Sequence, residues 1–119
     1  MKSGIDPDIL RRVVGSDPEF LREVLEDFVW HAQSEIAAIR VAIASEDAEQ
    51  MKIPTHRLKG SASLVGAAQL VDACTQIETA VEANDWSMIH QLMPRLDGLM
   101  QDINAYAEAL LGAQPIPHT

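Results

Sequence analysis

The sequence predicts an all-α protein: an antiparallel up-down four-helix bundle with one extra short helix at its N-terminal end. Apolar residues recur three and four positions apart along the long segments, and no segment alternates with a period of two. The connections between segments are short, which makes neighbouring helices antiparallel. The 119 residues suffice for one domain with a single core. We expect the bundle to span residues 6–111, with flexible segments at 1–5 and 112–119.

The first two helices are each predicted from an acidic cap followed by a proline. Asp6 caps the first helix, which runs to residue 14, where Gly15 stops it. Ser16 or Asp17 caps the second helix, which ends near Ala44 and keeps an apolar stripe throughout. The second helix is therefore a long strut of the bundle.

The third helix is predicted over residues 46–65, with Ser45 as its cap and Gly66 in the turn that follows it. Pro54 lies inside this segment, where a proline removes a backbone hydrogen bond and clashes with the preceding turn. We therefore expect a kink or an early break just before His56.

The last two helices are predicted over residues 68–83 and 86–110, with Asn84-Asp85 between them. Pro94 should kink the last helix. Cys74 falls on the apolar side of its helix and is read as a small core residue.

Composition excludes several classes of function. A net charge of −9 argues against binding nucleic acid or an anionic membrane surface. No apolar run approaches the ~18 residues of a membrane span. The chain lacks the Glu-x-x-His pairs of carboxylate-bridged metal bundles and a Gly-x-x-x-x-Gly-Lys-Ser nucleotide motif, so we expect no metal site and no use of ATP. Cys74 is the single cysteine, which fits a reducing cytoplasm.

One basic stretch stands out in this acidic chain. Between Gln50 and Val71 there are three basic residues and no acidic ones, whereas the remainder has six basic and eighteen acidic residues. A helical projection places Lys59 and Gly60 within roughly 60° of His56. The same side carries Glu49, Lys52, Ile53, Ser63 and Ala67. The opposite side is an apolar seam of Met51, Thr55, Leu58, Ala62 and Val65.

These neighbours suit a histidine that carries a phosphoryl group. A neutral imidazole nitrogen is a nucleophile, and a phosphoryl group would bring it nearly two negative charges. Lys59 is placed to offset that charge, and the lack of nearby carboxylates fits. Gly60 costs a helix about 1 kcal/mol relative to alanine, which indicates a need for bare backbone beside His56. The alternatives are a solvated surface histidine, a glycine that permits close helix packing and an ordinary basic face.

A longer motif resembles a known family. The run His56-Arg57-Leu58-Lys59-Gly60-Ser61 is followed by Gly66-Ala67 and then by Cys74-x-x-Ile77-Glu78. This pattern resembles the histidine-containing phosphotransfer (HPt) domain of two-component phosphorelays, over about residues 6–111. The resemblance implies a four-helix bundle that carries a phosphoryl group without a nucleotide site of its own.

The resemblance also implies roles for individual residues. His56 would accept the phosphoryl group on Nε2, Lys59 would steady the added charge, and Gly60 would let the partner dock closely. Glu78 would orient the imidazole or a bound water, with a solvent-facing helix charge as the alternative. Arg57 and Lys52 would steer an acidic partner. The surrounding contact patch would comprise Ile53, Ser63, Leu64 and Ala67.

The expected partners are response-regulator receiver domains, a hybrid sensor histidine kinase, or both. The phosphoryl group would come from the aspartyl phosphate of one receiver and pass to the aspartate of another, with Mg²⁺ held by the receiver. We expect a cytoplasmic monomer. Two alternatives stay open: a degenerate docking module without phosphotransfer, and the phospho-accepting domain of a chemotaxis-type or hybrid histidine kinase, which could be the cytoplasmic C-terminal part of a membrane-bound protein.

Overall fold

The computed structural model describes residues 5–110, which form five α-helices and no strand. The all-α prediction is thus confirmed. The helices are α1 (Pro7–Val14), α2 (Pro18–Ala44), α3 (Ala48–Leu64), α4 (Ala68–Glu82) and α5 (Trp86–Leu110). No helix within this range combines the length and apolar character needed to cross a membrane. The predicted flexible tail at 112–119 and the first four residues lie outside the described range.

Acidic side chains begin the first three helices. The Asp6 carboxylate accepts hydrogen bonds from the first turn of α1, and Asp17, rather than Ser16, does so for α2. The cap of α3 is Asp47, whose carboxylate accepts from the Gln50 N–H at 3.2 Å. The predicted Ser45 cap is wrong, because the Ser45 hydroxyl donates to a carbonyl in the last turn of α2.

Helix α3 is continuous through Pro54, so the break predicted before His56 is wrong. The proline is buried with Thr55 and Leu58 on the inner side of a helix that packs against both α2 and α4. Burial of that side offsets the loss of one backbone hydrogen bond. Helix α5 likewise continues through Pro94, and the kinks expected at the two prolines stay predictions.

Helix α3 occupies the centre of the fold, since it contacts α1, α2 and α4, while α5 packs mainly against α4. The apolar seams of the helices meet in one core. Its largest fully buried aliphatic side chains are Leu25, Ile39, Met51, Leu58, Leu70, Ile77, Ile89, Leu96 and Ile103. This core fixes the rotation of α3 and so determines which side of α3 faces solvent.

The turn between α3 and α4 holds the N-terminal helix in place. The Asp6 N–H donates to the Gly66 carbonyl at 2.9 Å. Gly66 has a φ of +74°, and a Cβ there would come within 3.0 Å of the Asp6 carbonyl oxygen and of Ile9, so glycine is required twice over. Ile5, predicted to lie in a flexible segment, is buried in the core at 4% exposure, which corrects that boundary.

Candidate functional site

His56 is the central residue of α3 and lies on its solvent side. Its side chain is 79% exposed, whereas Thr55 and Leu58 on either side of it along the chain are fully buried. A helix of this pattern cannot turn His56 inward without exposing its apolar seam. The core therefore presents the imidazole to solvent.

One carboxylate from α4 links the two residues that the sequence singles out. Glu78 Oε1 lies 2.9 Å from Lys59 Nζ, and Glu78 Oε2 lies 3.5 Å from His56 Nδ1. The side chains of Lys59 and Glu78 are about one-third exposed. The local sequence indicated no carboxylate near His56, and this is wrong, because Glu78 arrives from the neighbouring helix, at the place that the family resemblance implied.

This arrangement gives the two imidazole nitrogens different environments. A carboxylate facing Nδ1 favours the tautomer that carries its proton on Nδ1, which leaves the lone pair on Nε2. The Lys59 ammonium has three N–H donors, and its contact with Glu78 occupies one. The site therefore combines a nucleophilic nitrogen with a nearby cation that retains donors for an incoming anion.

Gly60 lies one turn after His56 and is exposed. A Cβ built at this position would meet no atom within 4 Å outside its own stretch of helix. Close packing between helices therefore does not require glycine here, which removes one of the alternatives raised by the sequence. The bare backbone faces solvent beside the imidazole.

The predicted contact patch is exposed at all but one position. Ile53 and Leu64 are each 61% exposed. Ser63 is also exposed. Ala67 is fully buried, so its assignment to the patch is wrong. A helical projection does not apply to Ala67, because α3 ends at Leu64 and the chain then turns inward.

The two basic residues predicted to steer a partner differ in their surroundings. Lys52 Nζ lies 3.1 Å from the exposed Glu49 carboxylate. Arg57 is exposed and has no ion pair or hydrogen bond from its side chain within residues 5–110. Of these two basic residues, Arg57 is therefore the one whose charge is not paired within residues 5–110.

An open groove between α3 and α4 adjoins His56, and sequence reasoning missed it. It is lined by Met51, Lys52, Thr55 and His56 of α3 and by Thr75, Glu78, Thr79, Val81 and Glu82 of α4. The available signal was the spacing of three and four residues that places Thr75, Glu78, Thr79 and Glu82 on one side of α4. The groove extends the site away from Gly60, towards the C-terminal end of α4.

Cys74 lies behind the site in the core, as the sequence predicts. Burial raises the pKa of its thiol from 9.0 to about 12, the Glu78 carboxylate contributes in the same direction, and Lys59 opposes it. A thiol with so high a pKa is a poor nucleophile at neutral pH. Within residues 5–110, no three His, Cys, Asp or Glu side chains are grouped so that they could hold a metal ion.

Comparison with known proteins gives one match. The family model of the Hpt domain matches residues 23–106, a range that includes His56, Lys59, Gly60 and Glu78. No curated protein and no solved structure matches the chain. Hpt domains are phosphotransfer carriers of two-component phosphorelays and interact with receiver domains. The match covers more than half of the chain, and the chain therefore belongs to the Hpt domain family, with the family's role in histidine phosphotransfer.

Proposed function

We propose that this protein is a phosphorelay intermediate that takes a phosphoryl group from the aspartyl phosphate of one receiver domain onto His56 Nε2 and delivers it to the aspartate of another. One observation carries the proposal. Glu78 contacts both His56 Nδ1 and Lys59 Nζ, while the imidazole remains 79% exposed. The reactive nitrogen is thus oriented and polarised yet open to a protein-sized partner.

The transfer step follows from this geometry. The Nε2 lone pair attacks phosphorus in line with the P–O bond of the aspartyl phosphate. The N–P bond forms as that P–O bond breaks, and the bonding electrons leave with the aspartate carboxylate. Nδ1 keeps its proton throughout, and the positive charge that develops on the ring faces Glu78. Delivery to the second receiver is the reverse of this step, and any Mg²⁺ belongs to the receivers.

Lys59 stabilises the phosphorylated form. Its ammonium lies on the same side of α3 as His56, and Glu78 keeps it there through the 2.9 Å contact. When the phosphoryl group arrives, the remaining N–H donors of Lys59 can bind its oxygens. Glu78 stays with Nδ1, so one carboxylate positions both the nucleophile and the cation.

The surface around His56 fits a docked receiver. Ile53 and Leu64 supply exposed apolar contacts on opposite sides of His56 along the helix. Gly60 leaves room for the partner backbone, and Arg57 offers a positive charge to an acidic pocket. We further infer that α2 to α5 form an up-down antiparallel bundle, because three-residue connections join them. His56 then lies midway along a helix side, clear of the bundle ends.

The test is phosphoryl transfer from purified receiver domains of the same genome. Each receiver is phosphorylated with ³²P-labelled acetyl phosphate and mixed with the protein. We expect an acid-labile, base-stable phosphate on the wild-type chain that is lost in His56→Gln. His31→Gln is the matched control, because His31 is exposed on α2 outside the site and should transfer normally.

Two outcomes would count against the proposal. Failure of every receiver to label the wild-type chain would favour a docking module without phosphotransfer. Retention of the label in His56→Gln would place the acceptor elsewhere.

A further inference from the structure

We propose that the groove beside His56 is a cation site that receives a lysine or arginine side chain of the docked receiver. The inference rests on the proposed function, because it names a contact made by the same partner. The groove has a volume of about 640 Å³, which exceeds the volume of one basic side chain. Its chemistry, more than its size, points to a cation.

The α4 side of the groove presents hydrogen-bond acceptors. Glu78 and Glu82 line it from successive helical turns. The hydroxyls of Thr75 and Thr79 donate to backbone carbonyls four residues earlier, at 3.0 and 3.1 Å. Their protons are therefore engaged, and only oxygen lone pairs remain for a ligand. A ligand rich in N–H donors is complementary to this side.

The α3 side adds an independent observation. Thr55 lines the groove, is fully buried, and its Oγ1 has no hydrogen-bond partner among residues 5–110. A buried polar atom without a partner costs roughly 1–3 kcal/mol, and a ligand that binds it recovers part of this cost. A donor head that reaches Thr55 while its charge lies near Glu82 would satisfy both ends of the groove.

Residues 5–110 do not supply this cation themselves. Lys52 is the only lysine or arginine among the described residues that line the groove, and its ammonium is held by Glu49 at 3.1 Å. Glu82 has no ion pair or hydrogen bond from its side chain within residues 5–110. Its carboxylate is free in the unbound protein.

Docking of a receiver changes the surroundings of the unpaired Glu82 carboxylate. His56 lines the groove, so a receiver that reaches Nε2 also covers part of it. Covering Glu82 without a compensating cation leaves a desolvated charge, which disfavours receivers that present a neutral or acidic residue there. A receiver with a basic residue at this place is favoured. Glu82 is therefore a specificity-determining residue for the choice of receiver.

The site is tested directly with N-butylguanidinium as the probe and N-butylurea as its neutral analogue of similar shape. Amide resonances of the ¹⁵N-labelled protein are followed during titration with each compound. We expect saturable shifts at Thr55, Thr79 and Glu82 with the cation and none with the urea. Equal responses to both compounds, or shifts without saturation, would overturn the cation site.

Variants distinguish binding of the probe in the groove from a general attraction of cations to an acidic protein. Glu82→Gln should weaken probe binding by about fivefold, the effect of roughly 1 kcal/mol. Glu23→Gln removes the same charge from an exposed position on α2 and should leave binding unchanged. Thr55→Val should weaken binding while the fold remains at least as stable.

A second experiment links the groove to the partner. With a receiver that phosphorylates His56, Glu82→Gln should weaken receiver binding severalfold and leave the lifetime of the phosphorylated protein unchanged. Equal affinity of that receiver for wild type and Glu82→Gln would overturn the assignment of the cation to the partner. Absence of transfer to the wild type would instead count against the proposed function, and the probe titration would still report on the site.

Discussion

At Glu78, a single carboxylate serves two partners whose requirements differ. In the proposed transfer, Glu78 is both the acceptor at His56 Nδ1 and the counter-charge that keeps the Lys59 ammonium near the imidazole. Loss of the carboxylate should therefore affect both the orientation of the nucleophile and the placement of the cation. Its partial exposure, 29% of the side chain, keeps the effect below that of a fully buried ion pair.

We expect Glu78→Leu to slow phosphoryl transfer to His56 by about tenfold, the effect of roughly 1.4 kcal/mol, because it removes the carboxylate that lies 3.5 Å from His56 Nδ1 and accepts a hydrogen bond from Lys59. Glu78→Gln keeps an acceptor oxygen and should fall between the wild type and Glu78→Leu. Single-turnover transfer measures the rates. NMR of the imidazole nitrogens should show a loss of the Nδ1–H tautomer in Glu78→Leu. Equal rates in all three proteins would remove Glu78 from the site.

The thiol of Cys74 in the core has a raised pKa, to which burial contributes most and the Glu78 carboxylate contributes in the same direction. Its thiol has a pKa of about 12 in the folded protein, against an ordinary value of 9.0. Between these values the unfolded chain releases the proton while the folded chain keeps it, so stability is lost as the pH rises through this window. The expected loss is about 2 kcal/mol between pH 8 and pH 10.5.

Urea unfolding at pH 8 and pH 10.5 measures this loss, with Cys74→Ala as the control. The two proteins differ only at position 74, so the difference between their losses of stability isolates the thiol. We expect the alanine variant to lose less stability than the wild type over this interval. Parallel losses would show that the thiol ionises equally in both states.

On the scale of the element, α3 has the two properties that the proposed docking requires: an inner side held in the core and an outer side without a side chain at Gly60. Gly60→Ala should raise the free energy of unfolding by up to about 1 kcal/mol, because it removes a helix penalty and clashes with nothing. Gly60→Gln should fold equally well and slow transfer more than tenfold by obstructing the partner. Chemical unfolding and single-turnover transfer measure the two effects.

Gly98 provides a matched control for Gly60. It also lies inside a helix, α5, and a Cβ there would likewise meet no atom within 4 Å. Gly98→Ala should give a similar gain in stability, and Gly98→Gln should transfer normally. If Gly60→Gln transferred as fast as Gly98→Gln, close approach of the partner backbone would not explain the glycine.

The sequence predicted the structure best where the relevant pattern lay within a single helix. The seam through Leu58 and Ala62 predicted which side of α3 is buried, and hence that His56 is exposed. Spacing along one helix failed to predict features that depend on two helices or on the end of a helix. The Glu78 contact depends on the rotation of α4 against α3, which a single helical projection does not contain. Ala67 was wrongly predicted to be exposed, because a helical projection contains no information on where the helix ends.

Local chain signals also competed with packing. Pro54 carries a strong helix-breaking preference, but the buried inner side of α3 overrides it. Ser45 and Asp47 are both good caps, and the choice between them depends on which carbonyls and N–H groups the turn presents. Such choices are decided by three-dimensional geometry that composition and spacing do not specify.

On the scale of the whole molecule, the charge distribution is strongly asymmetric. The chain has a net charge of −9, and the stretch between Gln50 and Val71 that carries His56 holds three basic residues and no acidic one. The strongly negative remainder repels acidic partners at long range, so the basic stretch determines where such a partner can approach. Of its three cations, Lys52 and Lys59 already face carboxylates, and Arg57 has no ion pair within residues 5–110.

Arg57→Gln should therefore lower the association rate of a receiver severalfold at low salt, with little change in dissociation, because steering acts mainly on the encounter. Arg12→Gln is the control: Arg12 is exposed on α1, outside the stretch, and its loss changes the net charge by the same amount. Stopped-flow association measured between about 0.02 and 0.5 M NaCl should show the two variants converging, since the Debye length shrinks to a few ångströms at high salt. If both variants slowed equally at low salt, net charge alone would govern the encounter. Slower association of Arg57→Gln alone would show that this one guanidinium guides the partner to His56 against the field of the remaining protein.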